Sequence, residues 1–359
     1  MRISILSLLF VFLLASCEKA VVVANSPETI EPYVISAVDI SSFPEINLTN
    51  PVFYDRDSNQ SGFLNVLKEN GINTIRLRLW VNPDNEHSSF KEVKEFSKTL
   101  KAYGFKIWLT VHYSDTWADP SQQITPENWK NVGFGNLKDS TYHYTKKVVV
   151  AMQPDFIQIG NEINSGFMHP YGHISNNYSQ FIELMDTAVN AVREHSMATE
   201  IILHFAGIDG SDWFYNQVST IDYDIIGLSF YPKWHGKSIP ALAYKMQQLS
   251  TYHFKSTVIA ETAYPFTLGW NDWTNNIVGL DSHLILPDYP ASPIGQSDFI
   301  IKIKSIAMDI KYARGFCYWG AELVAWKGDQ ATDGSPWENQ ALFNFNNRAL
   351  PALEAFKLD

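Results

Sequence analysis

The sequence predicts an α/β protein built as a single (β/α)8 barrel of the TIM type. Short apolar runs alternate with longer amphipathic stretches eight times between residues 33 and 359. Several of these runs are almost continuously apolar, which is typical of parallel strands that are buried on both faces. A doubly wound parallel sheet is the alternative, but no glycine-rich phosphate turn follows the first run.

Eight segments are predicted as strands, and four of the stretches between them as helices. The predicted strands are residues 33–40, 73–80, 106–112, 155–160, 200–205, 224–230, 257–261 and 315–319. The predicted helices, in which apolar residues recur at helical spacing, are residues 61–70, 90–103, 178–195 and 297–312. Since the active sites of such barrels lie at the C-terminal ends of the strands, the residues that close each run are the site candidates.

The first 32 residues are expected to lie outside the barrel. An apolar run over residues 3–14 has the length of a signal-peptide core and is too short to span a bilayer as an ordinary helix. Leu14-Ala15-Ser16-Cys17 resembles a bacterial lipobox, whose cysteine is lipidated after cleavage; a plain signal peptide with a chance cysteine is the alternative. We therefore expect a lipoprotein signal peptide over residues 1–16 and a tether over residues 17–32 that is anchored through Cys17.

Charge and cysteine content exclude several classes of protein. The formal net charge is −11, and no basic stripe of the kind that binds nucleic acid is present. An acidic protein suits a neutral polymer better than a polyanion. Cys17 and Cys317 are the only cysteines, so a lipidated Cys17 leaves no disulfide, and no zinc-type Cys and His spacing occurs. A monomer is expected.

Two of the predicted strands end on a glutamate. Glu162 follows Asn161 after the fourth strand, and Glu261 closes the seventh. Two carboxylates that face one cleft are what glycosidic hydrolysis needs, because one must donate a proton while the other attacks the anomeric carbon. Burial and mutual repulsion would drive their pKa values apart. The alternative for each glutamate is a structural ion pair with an arginine.

The second strand places two arginines on one face. Residues alternate in direction along a strand, so Arg76, Arg78 and Trp80 point one way and the aliphatic residues between them point the other way. Charges inside a barrel need carboxylate partners. One arginine is expected to hold Glu261 ionised, and the other to form a structural ion pair.

Polar and aromatic residues close the other strands. His112 ends the third strand and is followed by Asp115 and Trp117, while Tyr231 follows the sixth strand. Trp319 ends the eighth strand, and Trp326 lies in the loop after it. Such side chains bind sugar hydroxyls and stack on the apolar faces of sugar rings. The alternatives are a hydrogen-bonded core histidine and tryptophans that serve packing.

Seven segments resemble glycoside hydrolase family 53, the endo-β-1,4-galactanases. They are residues 38–42, 76–83, 112–120, 158–162, 227–232, 261–265 and 337–343. The resemblance implies a retaining mechanism with Glu162 as acid/base and Glu261 as nucleophile, acting in a catalytic barrel over residues 33–359. It implies that Asn161 holds the sugar 2-hydroxyl and that Trp319 lies beneath the reacting sugar. The other expected substrate-binding residues are Asp39, Arg76, Arg78, His112, Asp115, Trp117, Tyr231 and Trp326.

The implied substrate is β-1,4-galactan, the side chain of pectic rhamnogalacturonan I, cut internally. An endo-acting enzyme on a polymer too large for porins is expected at the outer-membrane surface of the cell envelope. Two alternatives stay open at this point. One is another β-glycanase of the same clan, such as a mannanase or xylanase, and the other is a non-catalytic glycan-binding lipoprotein.

The resemblance also raises the question of calcium. Some members of the family bind a structural calcium through loop acids after the seventh and eighth strands, and Asn271, Asp272, Asp329 and Asp333 lie in those regions. Their spacing is unlike that of an EF-hand loop, and solvated loop acids are the alternative. The expected catalysis requires no cofactor.

Overall fold

The computed structural model describes residues 33–358, in which eight parallel strands close into a barrel. The strands are β1 (Ile35–Asp39), β2 (Thr74–Leu79), β3 (Lys106–Val111), β4 (Phe156–Ile159), β5 (Glu200–Ala206), β6 (Ile225–Ser229), β7 (Ser256–Thr262) and β8 (Ala313–Trp319). Each strand pairs with its neighbours in chain order, and β8 pairs with β1 to close the cylinder. The predicted (β/α)8 barrel is confirmed, and each predicted strand overlaps an observed one. The predicted signal peptide, Cys17 and the tether lie outside the described residues.

Helices surround the barrel. They are α1 (Phe43–Asn47), α2 (Phe63–Glu69), α3 (Phe90–Ala102), α4 (Phe134–Met152), α5 (Tyr178–His195), α6 (Ser211–Gln217), α7 (Pro232–His235), α8 (Ile239–His253) and α9 (Pro293–Asp309). Short 3-10 turns lie at Glu127–Trp129, Asp281–His283, Glu338–Gln340 and Pro351–Phe356. No helix among residues 33–358 combines the length and the apolar character that a membrane crossing requires.

The last predicted helix is displaced from its observed position. The sequence predicts residues 297–312, whereas α9 begins at Pro293, after the Ser292 hydroxyl accepts a hydrogen bond from the Gly295 N–H at 3.0 Å. At the other end the helix stops at Asp309. Tyr312 then adopts a left-handed backbone conformation, with φ 70°, and turns the chain into β8.

The two faces of each strand have different environments. Ile75, Leu77 and Leu79 of β2 pack in the apolar layer between the barrel and the helices. Arg76, which alternates with them, points inward and contacts Gln158 of β4 and Glu261 of β7. The barrel interior is therefore polar near the C-terminal ends of the strands, which is where the candidate site lies.

Candidate active site

A cleft of about 590 Å³ opens at the C-terminal ends of the strands. It gathers most of the predicted site residues, namely Asp39, Arg76, Arg78, His112, Trp117, Asn161, Glu162, Tyr231, Glu261 and Trp319. Residues outside the predicted set of substrate-binding residues also line it, and these include Asp119, Asn164, Trp234, His235 and Trp337. The size and mixed lining are typical of a ligand site.

A sharp turn after β4 places Glu162 in the cleft. Gly160 has φ 76°, and a Cβ at this position would lie 2.4 Å from the Ile163 Cγ2. Glu162 itself has φ 46°, in the left-handed region that non-glycine residues seldom adopt. Such backbone conformations are concentrated at functional sites, where the surrounding structure holds them in place.

The two glutamates have different hydrogen-bond partners. Glu162 accepts a hydrogen bond from the Ser229 hydroxyl through Oε1 at 2.6 Å. Glu261 forms an ion pair with Arg76 Nη2 through Oε1 at 2.7 Å and accepts a hydrogen bond from the Tyr231 hydroxyl through Oε2 at 2.8 Å. A cationic partner thus lies directly on Glu261, whereas the direct partner of Glu162 is neutral.

The charge states of the two carboxyls follow from these partners. Burial, and then the charge of Glu261, raise the pKa of Glu162 to about 8. Burial also raises the pKa of Glu261, but the positive charge of Arg76 and the Tyr231 hydrogen bond oppose this effect. At neutral pH the pair therefore holds its proton on Glu162, and Glu261 is the ionised member.

Arg76 connects the two sides of the barrel. Its Nη1 contacts Asp39 Oδ2 at 2.7 Å, and its Nη2 contacts Asn161 Oδ1 at 2.9 Å as well as Glu261. Burial lowers the pKa of Arg76, but the charges of Glu261 and Asp39 outweigh burial and raise it. One of the two arginines of β2 was expected beside Glu261, and Arg76 occupies that position.

Arg78 departs from the expectation of a structural ion pair. Among residues 33–358 no carboxylate lies within 4.0 Å of its guanidinium. The guanidinium carbon lies 4.4 Å from the ring centre of Trp80 and 4.1 Å from that of Trp117, and Nε donates to the Ser88 hydroxyl at 2.9 Å. Two indole faces therefore stabilise this cation in place of a carboxylate.

Asn161 and His112 are held by the loop after β3. The Asn161 side-chain amide donates to the Ala118 carbonyl at 2.8 Å, and the Ala118 N–H donates to His112 Nδ1 at 3.1 Å. Burial and then the charges of Arg78 and Arg76 hold the pKa of His112 well below its ordinary value. His112 is therefore neutral, and its Nε2 carries the hydrogen.

Aromatic rings form a continuous wall across the cleft. Trp117 lies 6.3 Å from Trp319, Trp319 lies 5.1 Å from Trp337, and Trp337 lies 6.1 Å from Trp234, measured between ring centroids. Tyr231 adds a ring 5.5 Å from Trp234. Trp337 lies far beyond the end of β8 in sequence, so its distance from the strand does not place it in the cleft, and only the family resemblance over residues 337–343 pointed to this segment.

Two predicted substrate-binding residues do not line the cleft. Asp115 uses both carboxylate oxygens to bind backbone, accepting from the Asn82 N–H at 2.9 Å and the Glu127 N–H at 2.7 Å. Trp326 packs against the apolar core and lies under the Lys327 ammonium. Asp115 therefore connects the loop that contains Asn82 to the loop that contains Glu127, and Trp326 packs against the core.

The calcium candidates are not arranged as a cation site. Asp272 is buried and accepts hydrogen bonds from the N–H groups of Thr274 and Ser335, at 2.7 and 3.4 Å. Asp333 pairs with Lys327 at 3.0 Å, and Asp329 is exposed. Over the described part of the chain, no three His, Cys, Asp or Glu side chains come together as metal ligands. The residues present do not fit a calcium ion.

Comparison with known proteins gives consistent results. The family model for glycosyl hydrolase family 53 matches residues 35–356. The arabinogalactan endo-beta-1,4-galactanase of Cellvibrio japonicus is 31% identical over 348 residues, which cover 91% of this chain and 91% of that protein.

Solved structures agree with the sequence match. The GH53 catalytic domain of Ignisphaera aggregans superposes with a TM-score of 0.85 at 34% identity, covering 92% of this chain and 97% of that one. A fungal β-1,4-galactanase superposes with a TM-score of 0.77 at 26% identity, covering 90% and 98%. The cleft, its two glutamates and these matches together show that the chain belongs to glycosyl hydrolase family 53.

Proposed function

We propose that the protein is a retaining endo-β-1,4-galactanase that cuts the β-1,4-galactan side chains of pectin. The observation that carries this proposal is the unequal pair of carboxyls in one cleft. Glu162 holds a proton at neutral pH, while Glu261 lies against Arg76. The galactanases among the relatives support the choice of galactan as substrate.

In the first step Glu162 donates its proton to the glycosidic oxygen while Glu261 attacks the anomeric carbon. The bond to the leaving sugar breaks, and an ester forms between Glu261 and the galactosyl residue. Retention of configuration requires carboxyls about 5–5.5 Å apart, whereas about 6.5–9.5 Å would leave room for the water of an inverting enzyme. Arg76 and Tyr231 orient Glu261 for this attack and favour its ionised form.

In the second step Glu162 acts as a base. Formation of the ester removes the negative charge of Glu261, and that charge raises the pKa of Glu162 in the free enzyme. The pKa of Glu162 therefore falls once the ester has formed, which favours the ionised carboxylate. The carboxylate takes a proton from water, and the water oxygen attacks the anomeric carbon and releases Glu261.

The aromatic wall supports a polymeric substrate. Trp117, Trp319, Trp337 and Trp234 line the cleft, and the centroids of neighbouring rings lie 5.1–6.3 Å apart. Aromatic rings stack on the apolar faces of sugars, and neighbouring polar groups bind the hydroxyls. His112, as a neutral donor, is suited to such hydroxyl contacts. Asp39 also lines the cleft, but its two oxygens already accept hydrogen bonds from Ser41 and Arg76.

The test is a product profile over time on linear galactan, with mannan and xylan in parallel. We expect a rapid fall in viscosity and a mixture of galacto-oligosaccharides from galactan alone. Reducing ends from mannan or xylan instead would support another clan enzyme. Tight galactan binding without product would support a glycan-binding protein.

We further propose that the mature protein is a monomeric, exported lipoprotein that Cys17 anchors to the cell envelope, at its outer surface. The lipobox-like segment supports the anchor, and the size of the polymer supports the outer face. Radiolabelled palmitate should label the wild-type protein but not a Cys17→Ser variant. Protease treatment of intact cells should remove the wild-type protein, and protection from the protease would contradict the outer-surface location.

A further inference from the structure

Glu162 stands at the end of a buried chain of side chains that runs across the barrel interior. The Ser229 hydroxyl lies 2.6 Å from Glu162 Oε1 and 2.7 Å from His204 Nε2. The Nδ1 of His204 lies 3.0 Å from the side-chain nitrogen of Gln158. Ser229, His204 and Gln158 are each fully buried, on β6, β5 and β4.

The direction of this chain is set at its far end by Arg76. The Gln158 Oε1 receives the Nε and Nη2 groups of Arg76, at 3.4 and 3.3 Å, and arginine can only donate. The Gln158 amide nitrogen therefore faces His204 and donates to Nδ1. The backbone N–H of Glu162 points at the same ring nitrogen from 3.4 Å. Asn161 Oδ1 also lies 3.3 Å from Nδ1, but this oxygen already accepts from Arg76 Nη2 at 2.9 Å and from Gln158 Nε2 at 3.1 Å. With two donors directed at it, Nδ1 is the acceptor of the ring.

The tautomer of His204 follows. Burial and then the charge of Arg76 hold the pKa of His204 well below its ordinary value, so the ring is neutral. With Nδ1 as acceptor, the single ring hydrogen lies on Nε2 and points at the Ser229 oxygen. The Ser229 hydroxyl hydrogen is then directed to Glu162 Oε1, which acts as an acceptor whether or not Glu162 is ionised.

The proton of neutral Glu162 must therefore lie on the other oxygen. Among residues 33–358, Oε2 of Glu162 has no hydrogen-bond partner, and the side chain lines the cleft. We propose that His204 and Ser229 are positioning residues that keep the transferable proton of Glu162 on Oε2, where a glycosidic oxygen can receive it. This inference rests on the proposed function, in which Glu162 is the general acid.

Titratable and charged groups from several elements face Glu162. They are Arg76 on β2, Asp119 in the loop after β3, His204 on β5, Tyr231 after β6 and Glu261 on β7. Burial, Glu261 and Asp119 raise the pKa of Glu162, whereas the Ser229 hydrogen bond and the charge of Arg76 lower it. Loss of the Ser229 hydroxyl removes one of the two lowering contributions, so the pKa of Glu162 should rise.

The experiment measures kcat/KM against pH for Ser229→Ala and Ser229→Thr. Because the protonated form of Glu162 is the active one, the alkaline limb of the Ala variant should move to higher pH, by on the order of one unit. The Thr variant keeps a hydroxyl and should restore the wild-type limb. Ser229→Cys is nearly isosteric, and its weak S–H donor should move the limb in the same direction as Ala.

A second measurement compares leaving groups on aryl β-1,4-galactobiosides. For Ser229→Ala, kcat/KM should fall by roughly tenfold with a poor leaving group and change little with dinitrophenol, which needs no proton. His204→Leu should behave like Ser229→Ala. In the double variant, His204→Leu should move the alkaline limb no further than Ser229→Ala does alone, because both residues act through the same hydroxyl.

The matched control is Ser36→Ala. The Ser36 hydroxyl is also buried on a barrel strand and donates to the Phe356 carbonyl at 2.7 Å, but it lies near the N-terminal end of β1. Its pH profile should match that of the wild type. A folded Ser229→Ala whose limb stays in place, or whose rate falls equally for all leaving groups, would overturn the inference. Failure of the wild type on galactan, or of azide to rescue Glu162→Ala, would instead refute the proposed function.

Discussion

At the scale of single residues, the site depends most on the guanidinium of Arg76. It joins Asp39, Asn161 and Glu261, which come from β1, the end of β4 and β7. Removing one partner of a buried ion pair is destabilising by about 3–5 kcal/mol, because the remaining charge is left uncompensated. The same contact that keeps Glu261 ionised therefore also links the non-adjacent strands β2 and β7 across the barrel interior.

Replacement of Arg76 by lysine should separate these two roles. Arg76→Lys keeps one positive charge but loses the fork that contacts two carboxylates at once. The pKa of Glu261 should rise, and because Glu261 must be ionised to attack, the acidic limb of kcat/KM should move to higher pH. A pH–rate profile and urea unfolding measure the two effects. An unshifted acidic limb would contradict the assigned role of Arg76.

Replacement of Glu162 by alanine should remove general acid help. We expect the rate on galactan to fall on the order of 10²–10⁴-fold. Azide should restore turnover of an aryl galactobioside with a good leaving group, because a small anion can attack the galactosyl-enzyme without a base. The exposed Glu86→Ala provides the control. A variant that folds normally but is not rescued by azide would count against the acid/base role.

The residues differ in how far the sequence reveals them. Glu162 and Glu261 could be predicted because they stand at, or just after, the C-terminal end of a buried strand, and topology alone brings these ends together. The sequence could not show that Asp115 has a structural role. An acid in a polar loop gives the same pattern whether it binds sugar or, as here, the N–H groups of Asn82 and Glu127. Of the two indoles that replace a carboxylate at Arg78, that of Trp117 depends on the fold of the loop after β3, which the sequence does not reveal.

At the scale of elements, the strands were easier to predict than the helices. The strands are buried on both faces, so their sequences are apolar runs. Helix α4 was not predicted, because the threonines Thr141 and Thr145 interrupt its buried stripe. These hydroxyls bond to the backbone carbonyls four residues earlier, at 2.8 Å each, which makes polar residues tolerable in a buried position.

The loop after β8 contributes the wall residue Trp337, whose loss should weaken substrate binding. Trp337 contacts both Trp319 and Trp234, so Trp337→Ala interrupts the aromatic wall at its centre. We expect kcat/KM on galactan to fall by roughly five- to tenfold, mainly through KM. Trp213→Ala, at an exposed position on α6, is the control. An unchanged KM would show that Trp337 does not contact the polymer.

At the scale of the whole molecule, buried acids and buried histidines set how stability depends on pH. Burial is the largest cause that raises the pKa of Glu162 and of Glu322 to about 8, from an ordinary value of 4.5. The unfolded chain releases these protons as pH rises through that window, so the folded state loses stability between about pH 4.5 and 8. Burial lowers the pKa of His112, His204 and His235. As the pH drops below about 6.5, the unfolded chain takes up protons on these histidines before the folded chain does, so the folded state loses stability in this direction too.

The free energy of unfolding should therefore be lower at pH 8.5 than at pH 6.5. Glu322→Gln should reduce this difference, because the amide does not titrate and can still accept the Ser42 N–H through its oxygen. Urea unfolding at the two pH values measures the effect, with the exposed Glu86→Gln as control. An equal difference in wild type and Glu322→Gln would show that Glu322 does not hold a proton in the folded state.

The reacting groups and the aromatic wall of the cleft come from different parts of the fold, and this affects how such a protein can change over evolutionary time. The reacting carboxyls stand on or directly after barrel strands, whereas Trp337 and Trp234 are supplied by the segments that follow β8 and β6. Insertions and exchanges in surface segments are tolerated far better than changes within a closed barrel. The segments after β6 and β8 can thus change, and with them the preference for one polymer over another, while the two catalytic carboxyls stay in place.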